Sequence, residues 1–139
     1  MVERISTGVE GLDVLLRGGI PRKSVIEICG TPGAGKSTLG MQFLLNGVKH
    51  GERGLYVAME QSKDDIIASF SGFNWNLEKY VDSGDIFIMW AEQLPRSDAI
   101  TSNVLNAARI MNVIKGRNIR RVVLDSLNVF RLMLSLIHI

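Results

Sequence analysis

The stretch "GTPGAGKST" (Gly30–Thr38) decides how this 139-residue chain is read. It satisfies the pattern G-x-x-x-x-G-K-[ST], with a β-rich apolar run before it and an amphipathic helical pattern after it, the context the pattern requires. Gly30, Gly33 and Gly35 let the backbone curl so that successive N–H groups point at one anion. Lys36 brings a positive charge for β- and γ-phosphate oxygens, and the helix that follows offers its N-terminus to the same group. The Ser37 hydroxyl suits Mg²⁺, which takes oxygen ligands and keeps several waters. Thr31, Pro32, Ala34 and Thr38 complete the loop, so Thr31 to Thr38 form the candidate nucleotide-binding set.

Working outward, β-rich runs alternate with helical ones. "VIEIC" (Val25–Cys29), "GLYVAM" (Gly54–Met59), "DIFIMW" (Asp85–Trp90) and "RRVVLD" (Arg120–Asp125) read as strands. "STLGMQFLLNGVKHG", "KDDIIASFSGF" and "SDAITSNVLNAARIMNVIKG" read as helices, the last starting near a capping Ser97 and ending near Gly116. In that helix Ile100, Val104, Ala107, Met111 and Ile114 form the stripe expected to be buried. Strands that are apolar nearly throughout and separated by helices imply an α/β fold, a mostly parallel sheet with helices on both faces. The lead-in "LLRGGIPRKSV" uses Gly18 and Gly19 for its turn.

Two acidic residues complete the candidate site. Asp125 ends a strand, on the side where α/β sheets bind ligands, and is the second expected Mg²⁺ holder beside Ser37. Glu60 follows the strand "GLYVAM" and is the candidate to orient a water or take its proton, with Lys36 as the other catalytic group. Ser62 with Asp65 three residues later reads as the next helix's own capping box.

Composition excludes several other classes. A formal charge of +2 is too small for a nucleic-acid footprint, and the basic run "KGRNIRR" reads as a solvated connection. One cysteine, Cys29, permits no internal disulfide, suits a reducing cytosol and reads as a buried core residue. No apolar stretch approaches the length of a membrane span. His50 and His138 lack metal-ligand spacing, and Trp75 and Trp90 read as packing residues.

The run from Ile5 through Ser62, with "FNWNLEKY" and "RRVVLDSL" further on, resembles a KaiC-type domain of the RecA superfamily of ATPases. The lead-in "STG…GLD…GGIP" is more specific than the loop alone. The resemblance implies a RecA-like P-loop fold, ATP with Mg²⁺ at an interface between subunits, and a homo-oligomeric, hexameric ring in a cytoplasmic protein. The function implied is Mg-dependent ATP hydrolysis serving as a switch or motor, with a protein partner possible. The family commonly carries two adjacent glutamates after the second strand, the first acting as general base; here they are Glu60 and Gln61. Two other functions share these motifs: a DNA-binding recombination or repair ATPase of RecA/RadA type, and a nucleotide-sensing assembly module with negligible hydrolysis. Only Cys29 is available for the cysteine metal module of the bacterial RadA lead-in.

KaiC-type domains continue past the strand at Asp125, so residues 1–133 are expected to be the N-terminal portion of such a domain, its C-terminal part missing. The last six residues, Leu134–Ile139, read "LSLIHI" and can be encoded by CTG TCT CTT ATA CAC ATC, which resembles a transposase adapter end. They are expected to be a non-native tail. The residues that reach a neighbour's phosphates would lie beyond it, so this stretch alone is expected to lack turnover.

Overall fold

The computed structural model describes residues 2–90 and 100–125, with the side chains of residues 100–104 left out. The Ser97 cap, the Ile100 and Val104 side chains and the tail 134–139 lie outside the described residues.

The chain enters through a short antiparallel pair, β1 (Arg4–Ile5) and β2 (Ile20–Pro21), with α1 (Glu10–Leu15) between them. The glycine-rich loop then leads into α2 (Lys36–Lys49), β3 (Arg53–Ala58), α3 (Lys63–Ser69), α4 (Leu77–Ser83), β4 (Ile86–Met89), α5 (Ile100–Gly116) and β5 (Ile119–Asp125). β3 is the middle of a three-stranded sheet of order β4-β3-β5, with both pairings parallel.

Alternation along the strands builds two cores. Tyr56, Ala58, Ile86 and Ile88 pack with Met41, Leu44 and Leu45 of α2 and with Ile66, Phe70 and Leu77. Leu55, Val57, Met59 and Met89 face the other way, onto Ile110 of α5 and Ile119. Successive strand residues point to opposite faces, so a sheet with helices on both sides needs apolar residues at every position. That is the α/β architecture its sequence predicts.

β5 carries one irregularity. Arg53 pairs with Ile119 and Gly54 with Arg121, which leaves Arg120 as an extra residue, a bulge. From Arg121 onward the register is regular, with Tyr56 opposite Val123 and Ala58 opposite Asp125.

α2 lies close against the sheet because small residues let it. A Cβ on Gly40 would stand 3.0 Å from Val123 Cγ1, and one on Gly47 would stand 2.5 Å from Arg121 Cδ. Both glycines sit on one helix face, seven residues apart, so α2 is held along β5 at two points.

Four expectations need correction. Val25–Cys29 is not a strand: it has no ladder partner among the described residues, and Val25, Ile26 and Ile28 are 54%, 51% and 48% exposed. Strand propensity measures fit to a covered, paired pleat, and here β3 and β4 take the ladder bonds while the run stays outside the sheet. Cys29 is accordingly exposed rather than buried. The helix expected over "KDDIIASFSGF" is shorter, since α3 stops at Ser69 rather than reaching Phe73, and the Ser69 and Ser71 hydroxyls bond the Asp65 and Ala68 carbonyls at 2.7 Å each. Finally, "KGRNIRR" is solvated only in part, since Arg121 is 3% exposed.

Other readings stand. Ser62 caps α3 by accepting from the Asp65 amide at 3.2 Å. In the α5 stripe Ala107 is buried and Ile114 packs against the α5-side core, with Ile110 fully buried on the same face. Trp75 and Trp90 pack against the α2-side core. Among the described residues, no helix is long and apolar enough to cross a membrane.

Candidate functional site

The loop between residue 30 and α2 folds as its sequence directs. The Ala34 amide bonds the Thr31 carbonyl at 3.1 Å, with Pro32 and Gly33 in the two central places. Gly33 has φ +80°, the left-handed value that a type II turn needs after proline. Gly35 has φ +96° and is the N-cap of α2. A Cβ on either glycine would meet nothing within 4 Å, so backbone conformation, not space, demands glycine there. No side chain caps α2, so the loop itself leaves the first amides of that helix facing outward. Thr31 to Ser37 are exposed and Thr38 is half-buried.

Lys36 is the first residue of α2, and its Nζ donates to the Gly30 carbonyl at 2.6 Å. The ammonium thus folds back over the mouth of its own loop. Next to it, Ser37 Oγ donates to Asp125 Oδ2 at 2.9 Å, joining residues 88 apart in the chain. This contact follows from the packing of α2 on β5, since Gly40 and Gly47 set the helix at the distance the hydroxyl needs.

The same Asp125 oxygen also accepts from the Tyr56 hydroxyl. Tyr56 is 1% exposed. Burial pushes its phenol well above the ordinary range, and the Asp125 carboxylate adds to that, against a smaller opposing effect of the Ser37 hydroxyl. The phenol therefore keeps its proton and donates it. Ser37, Tyr56 and Asp125 form one hydrogen-bonded group, drawn from α2, β3 and β5.

Tyr56 was not among the residues singled out from sequence. Its signal was a hydroxyl within the otherwise apolar run "GLYVAM"; a buried tyrosine hydroxyl usually finds a partner.

Glu60 lies two residues beyond the end of β3 and is exposed. Because Ala58 pairs with Asp125, the two carboxylates stand at the same C-terminal edge of the sheet, as the sequence placed them. The sheet thus brings Lys36, Ser37, Asp125 and Glu60 to one edge.

A second polar cluster lies at the other end of the sheet, where β3 begins. Arg121 donates to Glu52 and to the carbonyls of Ser6 and Phe43, and Glu52 also accepts from Arg22 at 3.2 Å. Ser6 and Thr7 both donate to Asp13, at 2.5 and 2.6 Å. Burial opposes charge on Asp13 and Glu52, but hydrogen bonds from Ser6 and Thr7, and from Arg121 and Arg22, outweigh it and hold both carboxyls below their ordinary range.

A parallel sheet between helical layers, with a glycine turn at a helix N-terminus and an acidic strand end beside it, is the arrangement of a phosphate-loop α/β domain. A family model described as "ATPase: KaiC" matches residues 5–135, and the chain belongs to that family. It is 35% identical over 136 residues to a UPF0273 protein of Pyrococcus furiosus, covering 91% of this chain and 55% of the relative. It is 38% identical over 129 residues to the circadian clock oscillator protein KaiC of a Picosynechococcus, covering 90% of this chain and 25% of that protein. A solved KaiC-like protein of Pyrococcus horikoshii superposes with a TM-score of 0.78 at 30% identity, over 90% of this chain and 54% of that one. The chain therefore spans about half the length of its UPF0273 relatives.

Proposed function

We propose that this chain binds ATP with Mg²⁺ on Thr31 to Thr38 and contributes to its hydrolysis. The 2.9 Å contact of Ser37 Oγ on Asp125 Oδ2 is the observation that carries the reading. It joins the residue after the loop lysine to the acidic strand end, the two groups that hold the metal in phosphate-loop ATPases. Both are hard oxygen donors of the kind magnesium takes, so the residues present fit the ion. Bound there, Mg²⁺ would neutralise charge on the β- and γ-phosphates.

The chain's own groups divide the remaining work. Amides of Gly33 to Ser37 would donate to phosphate oxygens, and Lys36 would exchange the Gly30 carbonyl for them. Glu60 would orient a water and accept its proton as the water oxygen adds to the γ-phosphorus and the bond to the bridging oxygen breaks, giving ADP and phosphate. Family membership supports a homo-oligomeric ring acting as a switch or motor, in the cytoplasm, with a neighbouring subunit completing the site.

A second reading, binding with negligible turnover, is favoured by Gln61, whose carboxamide adds no negative charge beside Glu60. Calorimetry with magnesium-ATP tests the binding itself: the chain takes it up, and Lys36→Ala weakens uptake at least tenfold. Equal binding by the two proteins would defeat the proposal.

A further inference from the structure

We propose that Tyr56 is a positioning residue, whose hydroxyl fixes the Asp125 carboxylate beside Ser37 and so sets the affinity of the site for magnesium. This rests on the proposed Mg-ATP reading of the loop. Tyr56 occupies β3 opposite Val123, two residues before the position opposite Asp125, on the α2 side of the sheet. Its ring packs edge-on to Phe70, with centroids 6.3 Å apart, among side chains that are apolar. A phenylalanine would fill that ring space. The hydroxyl therefore adds nothing to packing, and burying it is unfavourable unless it is hydrogen-bonded.

Its partner is Asp125 Oδ2, the oxygen that Ser37 also reaches. A carboxylate at a strand end turns about its own side-chain bonds unless something holds it. Here a donor on the neighbouring strand holds one oxygen, and the other oxygen is left to be aimed by that grip. Such supporting donors typically change metal affinity by about 10–100-fold when removed. Ser37 can donate to Asp125 but cannot fix it from a second strand, because it stands on the helix that must carry the nucleotide.

The test is Tyr56→Phe, read by binding of a fluorescent ATP analogue while MgCl₂ is titrated. The magnesium concentration for half-maximal binding rises about tenfold, whereas affinity for the analogue in EDTA is unchanged. A merely structural role would weaken both together, and that result, or a magnesium midpoint equal to the parent's, overturns the proposal. If the parent itself shows magnesium-independent binding, the metal reading of Ser37 and Asp125 falls, and this inference with it. Binding that is magnesium-linked but unaffected by Tyr56→Phe sinks the inference alone. A second measurement needs no variant: the buried Tyr56 hydroxyl proton, followed by NMR in the parent, shifts when MgCl₂ and the analogue are added together. A hydroxyl signal indifferent to magnesium overturns the assignment.

Discussion

Arg121 donates both Nε and Nη2 to Glu52 Oε1, at 3.1 Å each, although its guanidinium is almost wholly out of water. A buried pair of this kind is expensive to break from one side, because the survivor keeps its charge. Glu52→Ala is expected to lower unfolding free energy by about 3 kcal/mol, since Arg121 retains its bonds to Ser6 and Phe43. Replacing both residues with methionine should cost less than either single change. A denaturant double-mutant cycle reads this, and additive losses would count against the pair.

Acid should weaken the same corner. Asp13 and Glu52 both have lowered carboxyl values in the folded state. A depressed value means that the unfolded chain binds protons first, so the stabilisation is complete above the ordinary carboxylate range and is lost as pH falls through the folded values. The melting temperature is therefore expected to hold steady between about pH 6 and 8 and to fall below about pH 4. Asp13→Asn should show a shallower fall; an unchanged acid limb would reject the assignment.

Gly47 and Gly11 make a paired test of close approach. Alanine at 47 would place its Cβ 2.7 Å from Arg121 Nε, on a guanidinium that four hydrogen bonds hold in place. Gly47→Ala should destabilise by about 1–3 kcal/mol, despite alanine's better helix propensity. Gly11 of α1 has nothing within 4 Å, so Gly11→Ala should be neutral or stabilise by up to about 1 kcal/mol. Thermal melts of the two variants decide it.

Glu60 can be separated from binding. Glu60→Gln keeps shape and removes the proton acceptor, so magnesium-ATP affinity should be unchanged while turnover falls at least about 100-fold. The assay belongs in an assembly that hydrolyses ATP. Equal turnover with the parent would remove Glu60 from the chemistry and favour the binding-only module.

Much of this was legible in the residue order. Proline followed by glycine specifies the loop turn, and Ser62 three residues before Asp65 specifies a cap, because both are local bonds between near neighbours. β3, β4 and β5 announce themselves by being apolar on both faces. What escaped depended on distant partners. Val25–Cys29 has the composition of a strand, but composition supplies no ladder. Arg121 sits in a basic run whose other charged members meet water, and Glu52, 69 residues away, takes it inside together with the Ser6 and Phe43 carbonyls. Tyr56 and Asp125 are likewise 69 residues apart. The stripe drawn from Ile100 found Ala107 and Ile114 and passed over Ile110, three residues after Ala107 on the same face.

Arg120 has a consequence out of proportion to its own contacts. Ile119 belongs to the α5-side core, and strict alternation from it would send Arg121, Val123 and Asp125 to that same side. Leaving Arg120 out of the ladder turns an even number of steps into an odd one, and everything after it changes layers. Removing Arg120 alone would therefore leave a regular ladder with Asp125 still beside its hydroxyl neighbours, whereas removing one paired residue between Arg121 and Leu124, with the bulge kept, would exile the carboxylate to the opposite layer.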